Sequence, residues 1–409
     1  MLVLAGCYTA TPPAGVPCGE DDACPNGQAC IAGVCGGTGA NLDAATVDSG
    51  PVIDAPALCA TWTARHFEPC MLPSPGGDLN LTDALANYSW DLDKPELKGK
   101  MGITVPVTTV VMSQSVGPDV LVASVNNFIL EPGATVDLNG SRALLIAVWG
   151  TATIGGTIDV SASFSAPGPG GAGASVTSLG CGGVPTGDFG VQGVPSTGGG
   201  GGGFQGAGGQ GGNAGGPAGA GLQPPATIQG GCAGGHGGAS SGGLQGIRGA
   251  GGGAVQITSR ESITIASGAL IHAGGGGGSL GRANYGAGGG GGAGGYIGLD
   301  APMVSIAGTL AANGGSGGGG ASDVASASSG ANGRGDASPA IGGSGATATN
   351  IGTCGRGGNG SAGGTLVGAA GGSSACGGGG AGGGAGYILI WSPALDVTGT
   401  LSPPPTAGP

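Results

Sequence analysis

Ala143-Leu144-Leu145-Ile146-Ala147-Val148-Trp149-Gly150-Thr151-Ala152-Thr153-Ile154-Gly155-Gly156-Thr157-Ile158-Asp159-Val160 is the stretch whose reading decides the fold. Its apolar residues alternate in short runs, the period of a strand with one buried face. Trp149-Gly150 and Gly155-Gly156 break the runs at corners. Strands this short cannot stand alone and must stack on equivalents. Equivalents recur at Ala254 to Gly274, Tyr296 to Gly314 and Tyr387 to Ser402, with a looser copy at Phe128 to Leu138. Each has an alternating apolar run, a polar or Pro corner, a second pair, a Gly corner and a last apolar residue. Stacking them predicts one column of Ile154, Ile263, Val304 and Leu395, and another of Ile158, Leu270, Leu310 and Leu401. The expected fold is all-β: a right-handed parallel β-helix, or solenoid, over residues 121–402.

Long inserts separate the copies, at about residues 164–252, 274–294 and 314–385. Gly supplies 106 of the 409 residues, concentrated in these inserts. Structureless loops of such length are uncommon in a compact domain. Either they are flexible surface loops, or they bundle as polyproline-II-like helices, where recurring Gly lets backbones touch. Cys181 and Cys232 fall in the first insert and Cys354 and Cys376 in the last. A staple in each favours the ordered reading, because glycine chain has the highest ordering cost per residue.

Composition excludes several classes. Charged residues are 8% and aromatics 3%, too few for an ordinary large-side-chain core or for a highly charged disordered chain. No strict Gly-X-Y period exists, so this is not collagen. The net charge is −12, and the three lysines, Lys94, Lys98 and Lys100, sit together. That leaves no basic stripe for nucleic acid. No run of 18 apolar residues suggests a membrane-spanning helix.

The N-terminal part is organised differently. Leu4-Ala5-Gly6-Cys7 resembles a bacterial lipobox, with Cys7 the lipidated residue and residues 1–17 the lipobox and tether. The basic and apolar segments that ordinarily precede it are nearly absent, which fits a start site assigned too far downstream or a trimmed chain. Cys18, Cys24, Cys30 and Cys35 make residues 18–35 a disulfide knot, in any of three connectivities. Residues 36–58 form an Ala/Asp/Pro linker, 59–120 a β-rich cap carrying Cys59 and Cys70, and 403–409 a Pro-rich tail. Setting Cys7 aside, ten of the 11 cysteines remain, an even number grouped by position. That pattern implies disulfides, an oxidising compartment and export.

Candidate chemistry is sparse. GxGxxG matches are glycine background, since no strand–helix context accompanies them. Asp159, Glu261, Asp300 and Asp396 lie on or beside the repeats and could meet on one face as polysaccharide-cleaving carboxylates, but solvated outer positions are the plainer reading. His66, His236 and His272 have no ligand spacing, so no metal or cofactor site is expected. Arg334-Gly335-Asp336 spells an integrin-binding tripeptide, expected by chance in so Gly-rich a chain. Trp149, Tyr296, Tyr387 and Trp391 could stack on sugars or finish a packed face. Thr151, Thr157, Thr309 and Thr400 are too irregular for an ice- or mineral-binding ladder. No catalytic residue is assigned.

The order of lipobox, Cys-rich segment, Phe67-Glu68-Pro69-Cys70, Leu79-Asn80-Leu81-Thr82, Gly133-Ala134-Thr135, Gly140-Ser141-Arg142, Trp149-Gly150 and Gly-rich spacers resembles glycine-rich surface lipoproteins of myxobacteria and their relatives, a group with no assigned activity. The inserts look, more loosely, like the glycine-rich repeats of mycobacterial surface proteins. The expectation is a lipid-anchored protein of the outer membrane or cell surface. Its role would be structural or adhesive, with membrane and polysaccharide or other cell-surface material as partners. The alternatives are a carbohydrate-active β-helix enzyme, a lyase or hydrolase, or an ice- or surface-binding protein.

Overall fold

The computed structural model describes residues 30–31, 34–35, 59–83, 86–171, 181, 195–239, 244–348 and 352–406. Contacts divide the chain into Met1–Asp54 and Ala55–Pro409. In the first unit, Cys30–Ile31 and Val34–Cys35 pair antiparallel with Cys30 opposite Cys35. Cys7, Cys18 and Cys24 lie outside the described residues.

The second unit is almost entirely β and its sheets are largely parallel. Three sheets recur in fixed chain order. The first holds Val120–Val125, Ala143–Val148, Ala254–Ser259, Tyr296–Asp300 and Tyr387–Trp391, edged by Thr108–Met112. The second holds Leu79–Leu81, Phe128–Leu130, Thr151–Ile154, Ser262–Ile265, Met303–Ile306 and Ala394–Val397. In the third, Tyr88–Asp91, Thr135–Asn139, Thr157–Asp159, Leu270–His272, Thr309–Ala311 and Thr400–Ser402 run parallel. Glu96–Lys98 and Thr104–Val105 close its edge antiparallel. Each copy crosses the three sheets in turn, and the parallel pairing already includes Leu79–Leu81 and Tyr88–Asp91, ahead of residue 121.

Register corrects two columns. Ile263, Val304 and Leu395 align with Ala152 and Phe128, whereas Ile154 aligns with Ile265, Ile306 and Val397. Ile158, Leu310 and Leu401 align with Ile271, not Leu270. Period two leaves a two-residue slip invisible when the inward residue is Ala. At Leu270-Ile271 both neighbours are apolar, and burial chooses: Ile271 is in the core, and Leu270 joins an outer row with Thr157 and Thr309. Each aliphatic side chain buried in these columns contributes about 1.5–3 kcal/mol.

Corner glycines fit their sites. Gly133 takes φ +87° and Gly140 +121°, backbone shapes L side chains resist. Beside Gly140, Ser141 N–H donates to Asp93 Oδ2 at 2.9 Å, and Arg142 Nη1 donates to the Leu92 and Asp93 carbonyls.

The described residues of the inserts are ordered around the segment 287–295. The N–H groups of Ala287, Gly290 and Ala293 donate to the carbonyls of Gly238, Gly235 and Cys232. Those of Gly288, Gly291 and Gly294 donate to Gly378, Ala381 and Gly384, and those of Gly289, Gly292 and Gly295 to Ser279, Gly276 and Ala273. The repeat is three residues, the number per turn of polyproline II. The carbonyls of 287–293 accept from 246, 249 and 252, from 199 and 202, and from 315 and 318. Six strands of chain therefore surround one, and every buried backbone group of 287–293 is paired. Disulfides Cys181–Cys232 and Cys354–Cys376 pin this region, and Cys59–Cys70 closes the loop described next.

Candidate functional site

An ordinary exposed sheet face would be polar, but the outer face of the first sheet carries Val122, Leu145, Tyr296, Tyr387 and Leu389 and must be covered. Trp62 and Phe67 of the Cys59–Cys70 loop cover one part, and Phe204, Leu222 and Ile228 of the first insert another. Trp62 meets Phe67 and Trp149 edge-on at 5.4 and 5.2 Å. Tyr387 O–H donates to the Leu222 carbonyl at 2.6 Å, and its burial pushes the phenol up to about 12.

Where this cover meets the ends of Ala254–Ser259, Tyr296–Asp300 and Tyr387–Trp391, the outer residues turn polar. Thr258, Asp300 and Trp391 stand side by side in register. A cleft of about 900 Å³ opens there, among Arg65, His66, Arg260, Asp300, Pro302 and Trp391.

Gln256 organises its wall. It is fully buried and uses its whole amide. Its Oε1 accepts from Tyr296 O–H at 3.0 Å and from His66 Nδ1 at 2.8 Å. Its Nε2 donates to Thr258 Oγ1 at 2.9 Å and to the Arg65 carbonyl at 3.3 Å. Gly298 makes this possible: a Cβ there would lie 2.8 Å from the Tyr296 hydroxyl, so the ring lies along the strand where a side chain would stand. Because Oε1 can only accept, His66 carries its proton on Nδ1. Burial, with the Arg65 charge beside it, holds the imidazole below its usual range despite the Gln256 bond. His66 sits at φ 69°, the left-handed region that a non-glycine residue enters when its surroundings demand it.

Arg65 N–H donates to Asp300 Oδ2 at 2.9 Å. Burial raises the Asp300 carboxyl, and the hydrogen bond and charge of Arg65 oppose that without cancelling it. Burial and the Asp300 charge push Tyr296 upward in turn. The Arg65 guanidinium lies 5.3 Å over the Trp391 ring, and the His66 ring meets the same indole edge-on at 5.7 Å. Arg260 also lines the cleft, 3.8 Å from the exposed Glu261 carboxylate.

The four acids singled out from the repeats do not converge. Asp300 is on the first sheet, Asp396 on the second, Asp159 on the third and Glu261 at a corner. Asp159 pairs instead with His272, 3.5 Å from its Nδ1, while His272 Nε2 reaches the Gly333 carbonyl at 3.0 Å. Burial would raise Asp159, yet the bonds from His272 and Ser161 hold it below its usual value. His236 lies in the first insert, lowered by burial and by Arg248. Asp336 binds its own neighbour Arg334 at 3.1 Å, which occupies the tripeptide's two charges with each other. Of the four aromatics, Tyr296 and Tyr387 are buried, Trp149 packs on Trp62, and Trp391 alone lines the cleft. Thr157, Thr309 and Thr400 do share one row with Thr135, interrupted by Leu270, so that ladder is more regular than its spacing suggests; Thr151 stands apart, opposite Ser262.

Among the described residues, no group of three His, Cys, Asp or Glu side chains is placed to hold a metal, and no helix is long and apolar enough to cross a membrane. Arg65, His66 and Gln256 were not singled out together from sequence, because some 190 residues separate the loop from the strand it caps. Comparison with known proteins returned no matching family model, no matching curated protein and no matching solved structure.

Proposed function

We propose that this chain is a non-catalytic structural or adhesive protein of the cell surface, built as a right-handed parallel β-solenoid braced by a bundle of polyproline-II helices. The fixed visiting order of three parallel sheets supports the solenoid, each repeat being one turn. The three-residue hydrogen-bond repeat around Ala287–Gly295 supports the bundle. A protein so saturated in backbone bonding is a rigid spacer able to hold a cleft away from a surface. Attachment through a lipid on Cys7, export to the outer membrane and kinship with the glycine-rich surface lipoproteins it resembles belong to the same proposal. They rest on the N-terminal motif and the disulfides.

The observation that carries a binding role over a cleaving one is that, among the described residues lining the cleft, Asp300 is the single carboxylate. Glycoside hydrolysis ordinarily needs a facing pair. The test is to incubate the full chain with a panel of polysaccharides, scoring both retention and new chain ends. Retention without new ends is expected; new chain ends that vanish in Asp300→Asn would make the protein a carbohydrate-active enzyme instead.

A further inference from the structure

We propose that the last strand of the second sheet, Ala394–Val397, is a docking edge for a second copy of this chain, which pairs through the same strand across a twofold axis. The buried columns of that sheet end there uncovered. Phe128, Ala152, Ile263 and Val304, and beside them Leu130, Ile154, Ile265 and Ile306, are at most 1% exposed. The last members of the two columns, Leu395 and Val397, are 46% and 39% exposed. Each earlier strand is covered by the next, and none of the described residues covers this one. The other two sheets are closed at the same end. Thr406 N–H donates to the Ile388 carbonyl on the first, and Gly363 N–H donates to Ser402 Oγ on the third. The edge also has free backbone groups. Thr398 N–H donates to the Ile306 carbonyl, back toward the preceding strand. Alternation along a parallel strand then turns the N–H and C=O groups of Leu395 and Val397 to the open side, where no described residue meets them. An apolar edge with unpaired backbone is a template for strand addition.

The opposite end of the stack selects the partner. Leu79 and Leu81 on the first strand of this sheet are buried, and Glu96–Lys98 and Thr108–Met112 close the flanking sheets antiparallel. Head-to-tail stacking therefore finds no receiving face, and a second copy offers only its own open edge. Two such edges meet antiparallel. With Asp396 on the axis, Leu395 lies opposite Val397 of the second copy, and Val397 opposite its Leu395. The free N–H and C=O groups of these residues then exchange hydrogen bonds in two pairs, the self-complementarity that a twofold contact requires. Asp396 points outward, as Ser305 and Thr264 do before it in the same row. The two Asp396 carboxylates face each other and oppose the contact, as does the net charge of −12 on each copy, so salt strengthens it. Ser392 and Pro393 line the cleft and lead straight into Ala394. Three residues at about 3.3 Å each put Pro393 about 10 Å from the axis, so the pair carries two clefts side by side, a bivalent arrangement.

The experiment is sedimentation velocity of the full chain over a range of concentrations, in low and high salt, repeated on Val397→Lys and Asp396→Asn. Both positions are exposed, and unfolding midpoints establish that the variants fold. The expected result is a monomer–dimer equilibrium that stops at the dimer and tightens in high salt. Asp396→Asn strengthens it several-fold, and Val397→Lys weakens it tenfold or more. In a Cys7→Ser background, Asp396→Cys closes a disulfide between copies in air, because residues facing each other in such a pair have Cα atoms about 4.5 Å apart. Asn80→Cys, outward on the first strand of the same sheet, leaves the copies unlinked. A chain that is monomeric at every concentration, with no link through Asp396→Cys, overturns the dimer and leaves the adhesive reading untouched. A dimer indifferent to Val397→Lys and not trapped by Asp396→Cys uses another face and overturns the docking edge. Growth beyond the dimer with concentration overturns the twofold axis.

Discussion

Replacing Gly290 by Ala tests how tightly the glycine bundle is packed. A Cβ built at Gly290 stands 2.0 Å from the Gly200 carbonyl oxygen, where real contacts begin near 3.0 Å. Two segments must therefore separate by about 1 Å. That stretches the bonds Gly290 N–H to Gly235 and Gly235 N–H to Gly200, now 2.9 and 2.7 Å, beyond useful length. Two buried pairs weakened at about 1–2 kcal/mol each, with about 1–3 kcal/mol of packing strain, give about 3–7 kcal/mol. Most domains hold about 5–15 kcal/mol in all. The matched control is Gly364→Ala, where a Cβ meets nothing within 4 Å. There the change is expected to stay within about 1 kcal/mol, since Ala only stiffens the unfolded chain. Urea unfolding followed by circular dichroism reads both. If Gly290→Ala unfolds at the same midpoint as Gly364→Ala, the close approach of the backbones at 290 is wrong.

Other consequences follow from single sites. Ile263→Ala empties a fully buried position in the second sheet and is expected to cost about 2–5 kcal/mol in the same assay. Replacing Cys59 and Cys70 by Ser opens a loop of sequence separation 11, which the loop-closure model values at about 3 kcal/mol; tryptophan fluorescence should report Trp62 becoming wet as the loop lifts. Asp159 has a folded pKa below its unfolded value of about 3.9, so its contribution is present above that value and lost as pH falls through the folded one. Stability measured from pH 6 to 2.5 should therefore decline more steeply in the parent than in Asp159→Asn, and parallel curves would refute the His272 pairing.

Alternation made the strands readable: every repeat quoted from the sequence contains the strands found there. What alternation cannot fix is which of two equivalent places faces inward. Ala is a weak apolar signal, which hides Ala152 as an inward position, and nothing local separates Leu270 from Ile271; stacking on Thr157 and Thr309 does. The glycine inserts declared their need for close approach but not their neighbours, since a run of Gly offers six equal directions and the disulfides and flanking strands choose among them. The cleft was the least legible part. Asp300 and Trp391 were visible as residues on repeats, but the groups that shape the site, His66 and Gln256, are joined by a bond across 190 positions. His66 also owes its place to a left-handed backbone that no propensity rule foretells.

The account depends most on the inserts being folded structure rather than loops. Native-state hydrogen exchange, read by mass spectrometry on peptides from 286–295 and from 254–259, tests this directly. With every N–H of 287–295 donated to a neighbouring segment, the first set should exchange as slowly as the strand peptides, over hours or longer. Complete exchange of 286–295 within seconds, while 254–259 stays protected, would contradict the bundle and leave the sheets standing without it.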